Sequence, residues 1–177
     1  MKLTPHFFKP EPDRICSDKL HGSTMQRTYE QTPGQHPTML IECVKRVTLD
    51  EIKEAKYTGT ANFVVDKFFD LKMAIDSDNY ASCGLRIDGH AHLAKNEDNE
   101  QEDVLAAGEV GFEEGKLHAI SNDSGTNLPP GIGEPFGEEH KNQAVKAFEL
   151  QLGAAAMKGV KYYSHGKDGE LPKVITL

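Results

Sequence analysis

Asp88-Gly89-His90-Ala91-His92-Leu93 is the sharpest chemical signal in the chain. On a β-strand, residues two apart point to the same side, so His90 and His92 would grip one divalent metal ion, with His118, His140 or a carboxylate completing the set. A metal-assisted or general acid–base site built from His90, His92, Glu109 and His118 would suit a small hydrolase or transferase. The plainer reading is a pair of surface histidines on a polar sheet face. A second group, Asn122, Asp123, Ser124 and Gly125, has side chains that bond their own backbone and so build a turn. Asn122 and Ser124 join His90, His92, Glu109 and His118 as candidate binding residues.

The elements that would position these residues read as follows. Residues 1–37 hold five of the nine prolines and show no periodicity, so they are expected to form an irregular arm. Residues 38–177 read as one α+β domain. Met39–Lys45 is expected to be a strand. Thr48-Leu49-Asp50-Glu51 has the form of a capping box opening a short helix to about Lys56. Tyr57–Lys67, rich in Thr, Val, Phe and Tyr, reads as a strand, with Phe68–Ile75 a second strand or a bent continuation. Ser82–Leu93 reads as the strand that bears the two histidines. The acidic run 96–103 is expected to be a solvated loop, because it lacks the spaced oxygen ligands and central glycine of a calcium loop.

Val104–Ile120 reads as a hairpin. Val104, Ala106, Gly108, Val110 and Phe112 alternate with Leu105, Ala107 and Glu109, and Gly115 supplies the positive φ of a tight turn. The small residues of this strand imply close approach by a neighbour. Leu128–Gly137 is a Pro/Gly connector. Glu138–Met157 reads as one long helix, with Val145, Phe148, Leu152 and Ala156 as its buried stripe and Gly159 as its stop. Val160–Tyr163 and Val174–Leu177 read as the last strands. The expected architecture is a largely antiparallel sheet with the long helix packed on it.

The formal net charge is −8, which repels a nucleic-acid backbone or an anionic membrane and suits a protein partner with a basic surface. No apolar run approaches the ~20 residues of a membrane helix. The N-terminus, interrupted by proline and charge, does not read as a secretory signal. Cys16, Cys43 and Cys83 are odd in number and widely spaced, which favours free thiols in a reducing compartment. Localisation is therefore expected to be cytoplasmic, or inside a host cell after delivery. There is no phosphate-binding loop, dinucleotide fingerprint or nucleophile elbow.

Two resemblances bear on function. Asp88–Leu93 is similar to the D-x-H-x-H opening of amidohydrolases, but that motif closes the first strand of a (β/α)₈ barrel, and too few residues follow His92 to build one. Ala106-Ala107-Gly108-Glu109, Gly115-Lys116-Leu117, Ile120-Ser121-Asn122, Ser124-Gly125 and Pro129 together resemble a hairpin module of plant IQ-motif calmodulin-binding-like proteins and bacterial effector or toxin-like proteins. His90–Ala94 is similar to the His-Ser-Ser-type segment that precedes it there, and the likeness runs over about residues 60–165. Thr126 and Asn127 stand where the module carries His and Tyr, so no acid–base role at that pair carries over. No basic IQ-like helix is visible, so calmodulin binding does not carry over either. The resemblance implies a non-enzymatic protein-binding or regulatory module of effector-associated type, with no cofactor expected. The small enzyme on a His-rich sheet face, with a bound divalent metal, is the alternative.

Overall fold

The computed structural model describes residues 19–21, 24–28, 40–75, 90, 93–94, 96, 102–124, 127–166 and 171–177, with side chains from Arg46 onward. His92, Cys16, Cys83 and most of the acidic run lie outside these residues, as does most of the strand expected over Ser82–Leu93.

The strands are β1 (Lys19–His21), β2 (Thr24–Thr28), β3 (Leu40–Val47), β4 (Gly59–Val65), β5 (Leu71–Ile75), β6 (Ala106–Glu113), β7 (Lys116–Ser121), β8 (Lys161–Ser164) and β9 (Lys173–Thr176). They pair in the order β1-β2-β3-β5-β4-β6-β7-β8-β9. β1 and β2 fall within the stretch that showed no periodicity, and they form a ribbon with β3. The end of β3 then joins the seven-stranded body through Arg46 and Val47. Every pairing is antiparallel except β7 with β8. That parallel step needs a crossover, and helix α2 (Gly137–Leu152) supplies it, packing on β6 and β4. The fold is therefore α+β, a mostly antiparallel sheet with a long helix on it. Among the described residues no helix is long and apolar enough to cross a membrane.

Local chemistry explains the edges of these elements. Helix α1 (Leu49–Glu54) starts at a full capping box: the Thr48 amide donates to the Glu51 carboxylate at 2.8 Å, and the Glu51 amide donates to Thr48 Oγ1 at 3.2 Å. β6 turns into β7 through Glu114 and Gly115, both at positive φ, the two-residue turn whose twist matches a hairpin. Gly115 is also where the turn meets α1, since a Cβ there would lie 2.9 Å from Lys53 Cα.

The core lies between α2 and the sheet. Phe148 meets Phe63 edge-on with ring centroids 5.2 Å apart, and Met73, Phe112, Ile120 and Tyr162 fill the space around them. The helix departs from the expectation in two ways. Gly153, at φ 84°, breaks the predicted run, and only a short α3 (Ala154–Met157) continues it before Gly159 ends the segment at positive φ. The buried stripe is His140, Gln143, Ala144, Ala147 and Phe148, while Val145 and Leu152 are half-buried and Ala156 is exposed. Two polar residues thus occupy the face that an apolar stripe was expected to fill.

Candidate functional site

The hairpin frays where β6 outruns β7. Their ladder runs from Glu113–Lys116 back to Val110–Ile120 and stops there. Beyond it, Glu109 N donates to Ser121 Oγ at 3.3 Å, and that hydroxyl lies 3.3 Å from Glu109 O and can donate to it. Backbone groups of Ala107 in β6 and of Leu105 just before it are met by the helix. His140 Nε2 lies 3.1 Å from Ala107 N and 2.9 Å from Ala107 O, and its Nδ1 lies 3.0 Å from the Tyr162 hydroxyl. Gln143 Nε2 donates to Leu105 O at 2.6 Å. A neutral imidazole donates at one nitrogen and accepts at the other, so either tautomer bonds the Tyr162 hydroxyl and one of the two Ala107 backbone groups. Complete burial pushes the His140 pKa down to about 4, against a smaller upward effect of the hydrogen bond with Ala107. Burial, with the Glu138 carboxylate adding to it, holds the Tyr162 hydroxyl above its ordinary range. Both rings are therefore neutral structural groups at physiological pH.

His90 is buried, with Nε2 2.8 Å from Gly108 O. It lies on a helical turn, closed by Ala94 N donating to His90 O at 3.0 Å, and not on the expected strand. The same-side argument for gripping a metal therefore fails at His90, because alternation holds only in extended backbone. Its partner in that argument, His92, lies outside the described residues. Among the described residues no group of three or more His, Cys, Asp or Glu side chains is placed to hold a metal.

Asn122 is a stitch. Its Nδ2 donates to His165 O at 2.9 Å and Pro129 O at 3.2 Å, and its Oδ1 accepts from His165 N at 2.6 Å. The carboxamide thus meets His165 as a neighbouring strand residue would, extending β8 past its end. Ser124, also buried, closes the next turn: its Oγ accepts from Asn127 N at 3.2 Å and its carbonyl from Leu128 N at 3.0 Å. The turn chemistry expected of Ser124 is present, whereas the Asn122 side chain bonds the distant backbone of Pro129 and His165 and not its own turn.

Two open clefts meet at His165. One, of about 390 Å³, is lined by Glu109, His118, Ser121, Tyr163 and His165 among others. The other, of about 320 Å³, is lined by Asn122, Asp123, Ser124, Leu128, Pro129 and His165. A β-bulge aims His118 at the first. Phe112 pairs with Leu117 and Gly111 with Ala119, leaving His118 as the extra residue. Its ring lies over Gly111, where a Cβ would be 3.0 Å from Nε2. The structure therefore brings Glu109 and His118 together, places Asn122 and Ser124 in the adjoining cleft, and buries His90 elsewhere. His165 follows a strand in a bare Ser-His-Gly context, and its importance comes only from Asn122, distant in sequence, taking hold of its backbone.

The connector after the second cleft is firmly tied. Ile132 N donates to Ser164 Oγ at 2.7 Å, Gly131 N to Glu134 at 2.6 Å, and Lys173 Nζ to Ile132 O at 3.3 Å. Gly131 and Gly137 meet backbone to backbone, where a Cβ on Gly137 would strike the Gly131 carbonyl. At its two ends Leu128 and Phe136 have φ of 42° and 66°, and their side chains are 54% and 49% exposed. Comparison with family models, with curated proteins and with solved structures finds no match for the chain.

Proposed function

We propose that this protein is a non-enzymatic binding module that holds a protein partner through the rim formed by Leu128 and Phe136 and the clefts beside it. One observation carries the reading. Two large apolar residues, each about half exposed, sit on left-handed backbone, a conformation that costs a bulky residue of order 1 kcal/mol or more and clusters where function requires it. The hydrogen bonds within the connector hold both in place. The polar residues of the hairpin support the same reading, because Asn122, Ser121 and Ser124 bond to backbone and shape the surface instead of presenting a reactive group. The hairpin resemblance, the acidic charge and the spaced cysteines fit a regulatory or effector-associated protein acting in a reducing cytosol without a cofactor.

The test uses asparagine, which tolerates left-handed backbone far better than Leu or Phe. The Leu128→Asn/Phe136→Asn double variant is expected to melt at or above the temperature of the parent. It is also expected to lose at least about nine-tenths of the partner retained in affinity capture, the tenfold change that 1.4 kcal/mol of binding energy produces. Undiminished capture by the double variant contradicts the reading.

A second reading is a small acid–base enzyme, favoured by Glu109, His118, Tyr163 and His165 lining one cleft. Its mark would be a turnover that His118→Ala abolishes while partner capture persists.

A further inference from the structure

Strand β9 ends the sheet on one side, and among the described residues no strand lies beyond it. Two bonds fix the direction of its backbone groups. Tyr163 O accepts from Asn122 N, so the backbone of Tyr163 faces β7, and that of Tyr162 and Ser164 faces β9. Leu177 N donates to Val160 O at 2.9 Å, which sets the same alternation from the other strand. Tyr162 pairs with Ile175 and Ser164 with Lys173. Ile175 and Lys173 therefore turn their N–H and C=O groups inward, and Val174 and Thr176 turn theirs outward. Among the described residues nothing meets these outward groups.

The edge is open as well as unpaired. Val174 is 52% exposed, and Thr176 is exposed on the same face. A lysine on an edge strand commonly guards it against pairing. Here Lys173 is drawn back to the connector, with Nζ 3.3 Å from Ile132 O. Lys161 serves the edge instead. It stands opposite Thr176, on the face of Val174, and its Nζ donates to Thr176 Oγ1 at 2.6 Å. Its ammonium is thereby held over β9. Residues 158–166 and 171–177 contain three lysines and no aspartate or glutamate, in a chain whose formal charge is −8. These stretches are locally basic in an acidic protein.

We infer that the free edge of β9 takes an extended, acidic segment of a protein partner as a further strand of the sheet. Its main chain bonds the outward groups of Val174 and Thr176. Its side chains on the outer face are specified two residues apart: an apolar one lies against Val174, and a carboxylate beside Thr176 meets the Lys161 ammonium. A second copy of the chain would bring the same lysines to this edge and complements it less well. The inference uses none of the rim or cleft residues and stands independently of the binding-module reading.

The experiment is fluorescence anisotropy on the full chain with a fluorescein-labelled Ser-Glu-Thr-Val-Thr-Glu-Ser peptide, which presents Val and Glu two apart in either strand direction. The same peptide with Lys for Glu is expected to bind at least about tenfold more weakly. The peptide N-methylated at Val and both Glu is expected not to bind, because the amides that meet the edge are gone. Val174→Pro removes an outward N–H that serves no ladder bond, so it is expected to weaken the peptide about tenfold while the protein stays folded. Lys161→Glu is expected to reverse the preference between the Glu and Lys peptides, which a merely structural Lys161 would not do. The control Lys158→Glu is expected to keep it. Absence of saturable binding, equal binding of the two peptides, binding that survives N-methylation, or an unreversed preference in Lys161→Glu overturns the inference. A concentration-dependent dimer in sedimentation that Val174→Pro abolishes would assign the edge to a second copy and overturn it too. The Leu128→Asn/Phe136→Asn variant is expected to bind the peptide as the parent does, so the edge and rim readings fail separately.

Discussion

His140→Ala is expected to destabilise the protein by about 4 kcal/mol, because it leaves a buried hydroxyl and a strand amide or carbonyl unpaired and opens a cavity behind them. The imidazole is fully buried between the Ala107 backbone and the Tyr162 hydroxyl, and among the described interactions it joins α2 to β6 and β8 at once. Urea denaturation at pH 7.5 measures the loss as a shift in midpoint. A change under about 1 kcal/mol would mean that these hydrogen bonds contribute little. The same group sets an acid limit. Its pKa is about 4 when folded and 6.5 in the unfolded chain, so between these values the unfolded state binds a proton that the native state does not. Stability from this site is complete above pH 6.5. It falls as pH drops through the window and levels off near pH 4, by which point about 3 kcal/mol has been lost. His140→Gln, which cannot titrate, is expected to flatten the stability curve over that window relative to the parent.

Gly108→Ala is expected to cost about 3 kcal/mol or more and to damage the clefts as well as the fold. A Cβ at Gly108 would strike the carbonyl oxygen of Ser121, with Ser121 C at 2.8 Å and Asn122 Cα at 3.2 Å. All three are backbone atoms and have no rotamer to retreat into. Relief must come from moving the end of β7, which carries Asn122 and through it the backbone of His165. The variant should therefore melt earlier and also lose partner binding more steeply than its stability loss explains, when both are measured at a temperature where it is fully folded. An alanine variant as stable as the parent would show that β7 does not approach Gly108 as described.

The reach of the sequence can be traced residue by residue. The capping box at Thr48, the Glu114-Gly115 turn, the β6–β7 hairpin and the stop at Gly159 were legible because each depends on neighbours within a few positions. The Gly108 neighbourhood was legible in kind, since small residues on a strand announce close approach, although not what approaches. The helix face was misread because apolar counting passes over polar residues. His140 stands four before Ala144 and eight before Phe148, which is helical spacing, and Gln143 stands four before Ala147. Burying them answers backbone groups of Ala107 in β6 and of Leu105 just before it, a demand that arises only in the folded sheet. His90 was placed on a strand by carrying the alternation of the preceding residues through it, whereas the bond from Ala94 N to His90 O puts it on a helical turn. His165 carried no local signal, since what fixes it is the carboxamide of Asn122, 43 positions earlier.

The central claim is that a partner is held along the end of β7 and the rim of the connector. Amide hydrogen exchange of the full chain, with and without its captured partner, tests it most directly. The account predicts added protection at residues 109–112, 118–124, 127–136 and 163–166, with α2 beyond its first turn unchanged. Protection centred on the outer face of α2, or on β9 alone, would contradict it.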